Sequence, residues 1–72
     1  MKALVYSFET CPYCLAAKQL LTDRGIEYSE EVIDRSQVKE LMKKTKMMTV
    51  PQIFIDDKLI GGYDDLVEFF NK

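Results

Sequence analysis

The sequence predicts an α/β domain: a four-stranded mixed sheet with three helices, in the order β-α-β-α-β-β-α. Three observations lead there. The chain is 72 residues long, enough for one small domain spanning 1–72 and no second one. Short β-branched and aromatic runs alternate with stretches of helical periodicity. Gly and Pro punctuate the chain at Gly25, Pro51 and Gly61-Gly62, between those segments.

Residues 2–8 (KALVYSF) read as a short strand buried on both faces. Pro12 suits the first position of a helix, and Ala17, Leu20 and Leu21 share one face at helical spacing. Gly25 ends that helix as the residue past its C-cap, with Arg24 in the last turn. From Glu27 to Ile33, Tyr28, Glu30 and Val32 alternate with Glu27, Ser29 and Glu31, as in a more exposed edge strand. Asp34 or Ser36 caps a second helix that turns Val38, Leu41 and Met42 inward. Thr49-Val50-Pro51 breaks it, and 52–55 form a strand. Asp56-Asp57-Lys58 is a tight turn that pairs this strand with 58–60 as a hairpin. After Gly61-Gly62, residues 63–71 close the chain as a helix, with Leu66, Val67, Phe69 and Phe70 supplying core and Asp64 and Asp65 at its positive end. A right-handed parallel crossover at the front and an antiparallel hairpin at the back make a thioredoxin-like architecture.

Composition narrows the function classes. The net charge of −2 argues against a nucleic-acid binder, which is normally basic. No apolar run approaches the ~20 residues of a membrane span, and the start is too short for a signal-peptide core. A cytoplasmic protein is expected. There are two cysteines and no histidine, so no zinc site closes from Cys and His of this chain and no metal is expected. Cysteines three apart cross-link one helical turn only, which excludes a stabilising disulfide framework.

Cys11-Pro12-Tyr13-Cys14 therefore reads as redox machinery. Cys11 sits at the N-cap, so its sulfur faces the backbone N–H groups of Tyr13 and Cys14 and the positive end of the helix dipole. Those groups stabilise a thiolate and lower its pKa below the ~8.5 of a free thiol. Cys14, one turn in, is shielded and less ionised. Cys11 thus attacks a disulfide and Cys14 resolves the mixed disulfide. Lys18, one turn beyond Cys14, adds positive potential. Two buried structural cysteines would be the plainer interpretation, but the helix-start proline and the preceding strand oppose it.

Cys11-Pro12-Tyr13-Cys14 after a strand, Thr49-Val50-Pro51-Gln52-Ile53-Phe54-Ile55, and Gly61-Gly62-Tyr63-Asp64-Asp65-Leu66 resemble, in order and over essentially the whole chain, the three motifs of a dithiol glutaredoxin. The resemblance implies a thiol-disulfide oxidoreductase with glutathione as cosubstrate and no permanently bound cofactor. It implies glutathione contacts at Tyr13, Thr49, Val50, Pro51, Gly62, Tyr63 and Asp64. The Val50 backbone would pair with the cysteinyl unit, ahead of a cis Pro51. The γ-glutamyl carboxylate would lie at the start of the last helix. Partners implied are glutathione and disulfide-containing or glutathionylated proteins, ribonucleotide reductase among them, for a protein acting as a monomer. Two positions depart from the family pattern. Phe8 and Met47 stand where cations usually meet the glycyl carboxylate of glutathione, and Lys43, Lys44 and Lys46 lie close in sequence. From Arg35 to Lys46, five basic residues face one acid, Glu40. Two other functions use the same cysteines: a redoxin recharged by thioredoxin reductase, and a carrier of a glutathione-ligated 2Fe–2S cluster held by Cys11 of two chains.

Overall fold

The computed structural model describes residues 1–71. Its elements are β1 (Lys2–Ser7), α1 (Pro12–Asp23), β2 (Glu27–Val32), α2 (Arg35–Thr45), β3 (Gln52–Ile55), β4 (Lys58–Gly61) and α3 (Tyr63–Phe70). The sheet order is β2-β1-β3-β4. β1 pairs in parallel with β2 and antiparallel with β3, and β3 with β4 antiparallel. This is the mixed, thioredoxin-like sheet that the sequence predicts, with β2 on the edge. Among the described residues, no helix is long and apolar enough to cross a membrane.

Local chemistry sets the helix ends. At the end of α1, Gly25 takes φ +70°. The Ile26 N–H then reaches Leu21 O at 2.9 Å and the Gly25 N–H reaches Thr22 O at 3.0 Å, a Schellman closure that a Cβ would oppose. Of the two caps open for α2, Asp34 is the one used. Its carboxylate accepts from Gln37 N at 2.9 Å, and the Gln37 side chain accepts from Asp34 N at 2.9 Å. The Gln37 backbone bond, with help from the Ser36 hydroxyl, holds the Asp34 carboxyl below its usual range. The β3–β4 turn is carried by Asp56 and Asp57, both at positive φ (50° and 68°), the two-residue geometry whose twist matches a hairpin.

One sequence expectation for the sheet needs correction. β1 is buried on one face only: Ala3, Val5 and Ser7 are buried while Leu4 and Tyr6 are half-buried. Two helices, α1 and α3, cover the first face, where Ala17, Leu21 and Leu66 close over Ala3, Val5, Ile53 and Ile55. The other face has α2 alone, and a hollow lined by Leu4, Tyr6, Phe54, Leu41 and Lys44 remains beside it. Val32, at the end of β2, is 55% exposed, in keeping with the exposed edge strand that the sequence predicts. In α2, Val38 is buried and Leu41 and Met42 are half-buried, joined by a buried Thr45. In α3, Leu66 is fully buried, and Phe69 and Phe70 pack against the core from its margin.

Candidate active site

Cys11 is the N-cap of α1, with extended backbone (φ −151°, ψ 104°) and Pro12 in the first turn. Its Sγ accepts the Cys14 N–H at 3.2 Å. Only this one of the two expected donors makes the bond, because an N-cap side chain reaches whichever of the N2 and N3 amides its rotamer faces. The two cysteines are joined as a disulfide, with Cα atoms 5.2 Å apart. Their surroundings differ sharply. Cys14 is 2% exposed, packed under the helix, whereas Cys11 is half-buried at the surface. The outer sulfur is the one an incoming disulfide can meet.

Lys18 does not act as a free cation. Its Nζ lies 2.8 Å from Glu30 Oε2 on β2, and the same oxygen accepts the hydroxyl of the fully buried Ser7 at 2.7 Å. The Lys18 charge is therefore neutralised locally, and the added positive potential expected from the sequence is largely cancelled. The Lys18 hydrogen bond first, then that from Ser7, hold the Glu30 carboxyl below its ordinary value of 4.5. A carboxyl lowered by folding stabilises the native state above the unfolded pKa, and that contribution is lost as pH falls through the folded one. Urea midpoints at pH 6 and pH 3 should therefore fall less in Glu30→Gln than in the wild type. Equal falls would show that the bonds around Glu30 do not favour its charged form.

On the other side of the dithiol lies a groove of about 390 Å³. Tyr13, Thr49, Val50, Pro51, Gly62, Tyr63 and Asp64 all line it, joined by Met47 and Asp65. The sequence names those seven residues from three separate segments, and the fold brings them together. The Val50-Pro51 peptide is cis. The rings of Tyr13 and Tyr63 stand 6.2 Å apart across the groove at 37°. At its end is the N-terminus of α3, where the Gly62 N–H donates to Asp65 Oδ2 at 3.0 Å. Gly61 has φ +126°, and a Cβ there would overlap the Asp65 carboxylate.

The sequence reading missed Gln52. This side chain is fully buried, and its Nε2 donates to Met47 O at 2.9 Å and to Thr49 O at 3.0 Å. Gln52 thereby ties the irregular loop before Pro51 to the first residue of β3. A polar residue at an inward strand position was the available signal. Phe8 also lies elsewhere than expected: it lines a second cleft beside the cysteines, and Met47 alone of the two departures borders the groove. Lys43 sits by Glu40 at 3.4 Å and Lys44 lines the hollow under α2, so neither lines the groove.

Comparison with known proteins agrees with this arrangement. Residues 3–60 match the family model described as Glutaredoxin. The chain is 50% identical over 64 residues to Glutaredoxin 3 of Escherichia coli (strain K12), covering 86% of this chain and 77% of that protein. It is 42% identical over 65 residues to a glutaredoxin of Pseudomonas aeruginosa, covering 88% and 77% of the two. Glutaredoxin 1 from Francisella tularensis, crystallised with cacodylate, superposes with a TM-score of 0.82 at 34% identity, covering 99% of this chain and 98% of that one. A buckwheat glutaredoxin–glutathione complex gives 0.88 at 31% identity, covering 96% and 67%. With a CPYC pair at a helix start, a cis-proline groove beside it and these relatives, the chain belongs to the glutaredoxin family of thiol-disulfide oxidoreductases.

Proposed function

We propose that this protein uses glutathione to reduce protein disulfides and protein–glutathione mixed disulfides, with Cys11 as nucleophile and Cys14 as resolving thiol. One observation carries the reading: the groove beside the dithiol unites Tyr13, Val50, Pro51, Tyr63 and Asp64. Such a groove suits a γ-glutamyl tripeptide. The residue before a proline is held extended, so the Val50 N–H and C=O can pair with the cysteinyl unit as a strand edge would. The free amides at the start of α3 attract the γ-glutamyl carboxylate, and the exposed Asp64 suits its ammonium. That the buckwheat relative was crystallised with glutathione supports the same assignment.

The chemistry balances without any further oxidant. The Cys11 thiolate attacks the glutathione sulfur of a protein–glutathione disulfide, and the bonding pair leaves with the protein thiolate, which takes up a proton. A second glutathione thiolate then attacks the glutathione sulfur on Cys11, releasing glutathione disulfide and the Cys11 thiolate. The protein would act as a single-domain monomer in the cytoplasm, with ribonucleotide reductase among its acceptors by family analogy. NADPH oxidation coupled through glutathione and glutathione reductase tests the reading directly. Turnover sustained by thioredoxin reductase but not by glutathione would overturn it.

Among the described residues the groove is lined by no cation, its charged lining residues being Asp64 and Asp65. The glycyl carboxylate of glutathione therefore lacks a charged partner there. Met47→Arg is expected to lower KM for a glutathionylated peptide about two- to five-fold, the value of an exposed ion pair, and the gain should shrink in high salt. An unchanged KM would show that the carboxylate does not reach Met47.

A further inference from the structure

Tyr13 of the CPYC turn lines the groove, whereas Cys11 and Cys14 themselves line a different cleft. Because β1 lies between β2 and β3, the helix start above it is flanked by the Val50–Tyr63 groove toward β3 and by that cleft toward β2. This second cleft, about 490 Å³, is lined by Cys11, Cys14, Phe8, Leu15 and Val32, with the Lys18–Glu30 pair at its side. Its walls are unusual for a surface. Leu15 is 65% exposed and Val32 is 55% exposed, and Phe8 between them is only half-buried. Leu15 stands one helical turn above Cys11, its N–H donating to Cys11 O at 3.1 Å. Val32 is held at the end of β2 by its register with Ser7, and Phe8 follows Ser7 out of β1. Three apolar side chains, from α1, from β2 and from the residue after β1, thus line the cleft that holds the disulfide, on the side glutathione would not occupy. Of the charged residues lining the cleft, Lys18 and Glu30 cancel each other and Glu9 is exposed to solvent.

We propose that this cleft is a subsite for the polypeptide half of the substrate, taking a bulky aliphatic or aromatic side chain next to the substrate cysteine. The inference rests on the dithiol chemistry proposed above and adds a specificity to it. The occupant follows from continuity with the cysteine pair. With one half of the disulfide against Val50, the other half leaves the cysteine pair on the opposite side, toward β2, where Phe8, Leu15 and Val32 line the cleft that holds Cys11. Burying three extra carbons of a leucine over an alanine in such a cleft, partly screened from water, favours binding about five- to ten-fold.

The experiment is single-turnover reduction of two peptide disulfides by the dithiol form of the protein, followed by chromatography of the released thiols. Each is a symmetric disulfide of a lysine-ended peptide whose cysteine is flanked by alanines in one and by leucines in the other. Two electrons pass from Cys11 and Cys14 to each peptide disulfide, yielding two peptide thiols, so glutathione is not involved. The leucine peptide should react about five- to ten-fold faster at subsaturating concentration. Leu15→Gln with Val32→Thr, both exposed positions, should bring the two rates together while the mercaptoethanol–glutathione mixed disulfide is turned over as before. Equal rates in the wild type overturn the subsite, as does a preference that survives the double substitution. Self-association abolished by the same substitutions would assign the cleft to a second copy and overturn it too. Loss of glutathione-coupled turnover alongside a retained leucine preference would instead overturn the glutathione reading and leave the subsite standing.

Discussion

Cys11→Ser should abolish reduction of both substrate classes, by at least about 10³-fold, whereas Cys14→Ser should spare one and remove the other. A serine hydroxyl at the N-cap would still accept the Cys14 N–H and keep α1 intact, so the loss would be chemical rather than structural. Without a thiolate at position 11, neither disulfide is attacked. Cys14 is different because it is 2% exposed and sits behind Cys11. It meets only a sulfur already attached to its neighbour. A protein–glutathione mixed disulfide needs one attack by the protein and is finished by free glutathione, so it survives Cys14→Ser. A protein disulfide leaves its chain bound to Cys11 until a nearby thiol displaces it. Parallel assays with a glutathionylated peptide and a disulfide-bonded protein read the difference. Equal losses in Cys14→Ser would overturn the division of roles.

Gly61→Ala should cost about 2–4 kcal/mol. The position combines two penalties: φ +126° is a conformation L side chains rarely adopt, and the new Cβ would overlap the Asp65 carboxylate and approach Asp65 Cβ to 2.9 Å. Asp65 cannot swing away without giving up the Gly62 N–H, 3.0 Å from its Oδ2. For a domain of this size the cost corresponds to a fall in Tm of at least about 8–16 °C. Adding Asp65→Ala should return part of the loss, since the overlap with the carboxylate disappears while the 2.9 Å approach to Cβ and the strained φ stay. A double-mutant cycle by urea unfolding resolves the two contributions. A Gly61→Ala protein within about 0.5 kcal/mol of wild type would mean that the strand end relaxes freely. The α3 start also forms one end of the proposed glutathione groove, so glutathione-coupled activity should fall with Gly61→Ala even below its unfolding temperature.

The element order was legible because each boundary carries its own chemistry. Pro12, Gly25, Asp34, Pro51 and Gly61-Gly62 each stand within a residue or two of an observed end. Residues whose backbone role is local, such as Cys11 as N-cap, were readable for the same reason. What the sequence conceals is coverage and long-range pairing. Leu4 and Tyr6 are as apolar as Ala3 and Val5, and only the count of helices over each face shows which pair reaches the interior. The Ser7–Glu30–Lys18 cluster depends on the parallel register that sets Ser7 against Val32, and no local pattern announces it. Phe8 was placed at the glutathione site on family pattern, yet it follows β1 out toward β2. Its neighbours in the second cleft, Leu15 and Val32, come from elements that only the tertiary fold brings alongside it.

Gln52 has an entropic consequence. Nothing regular holds residues 46–50, yet the Gln52 amide fastens the carbonyls of Met47 and Thr49 from within the core. The cost of ordering that loop is then met when the chain folds and need not be met again when a ligand arrives. Released by Gln52→Ala, the loop would become a set of conformers, of which only a fraction presents Val50 correctly, and apparent affinity would fall in proportion to that fraction. The loss would show as a more unfavourable binding entropy and as faster exchange of the 47–50 amides, with the Cys11 thiol itself unaltered. The groove is, in that sense, rigid by inheritance from β3.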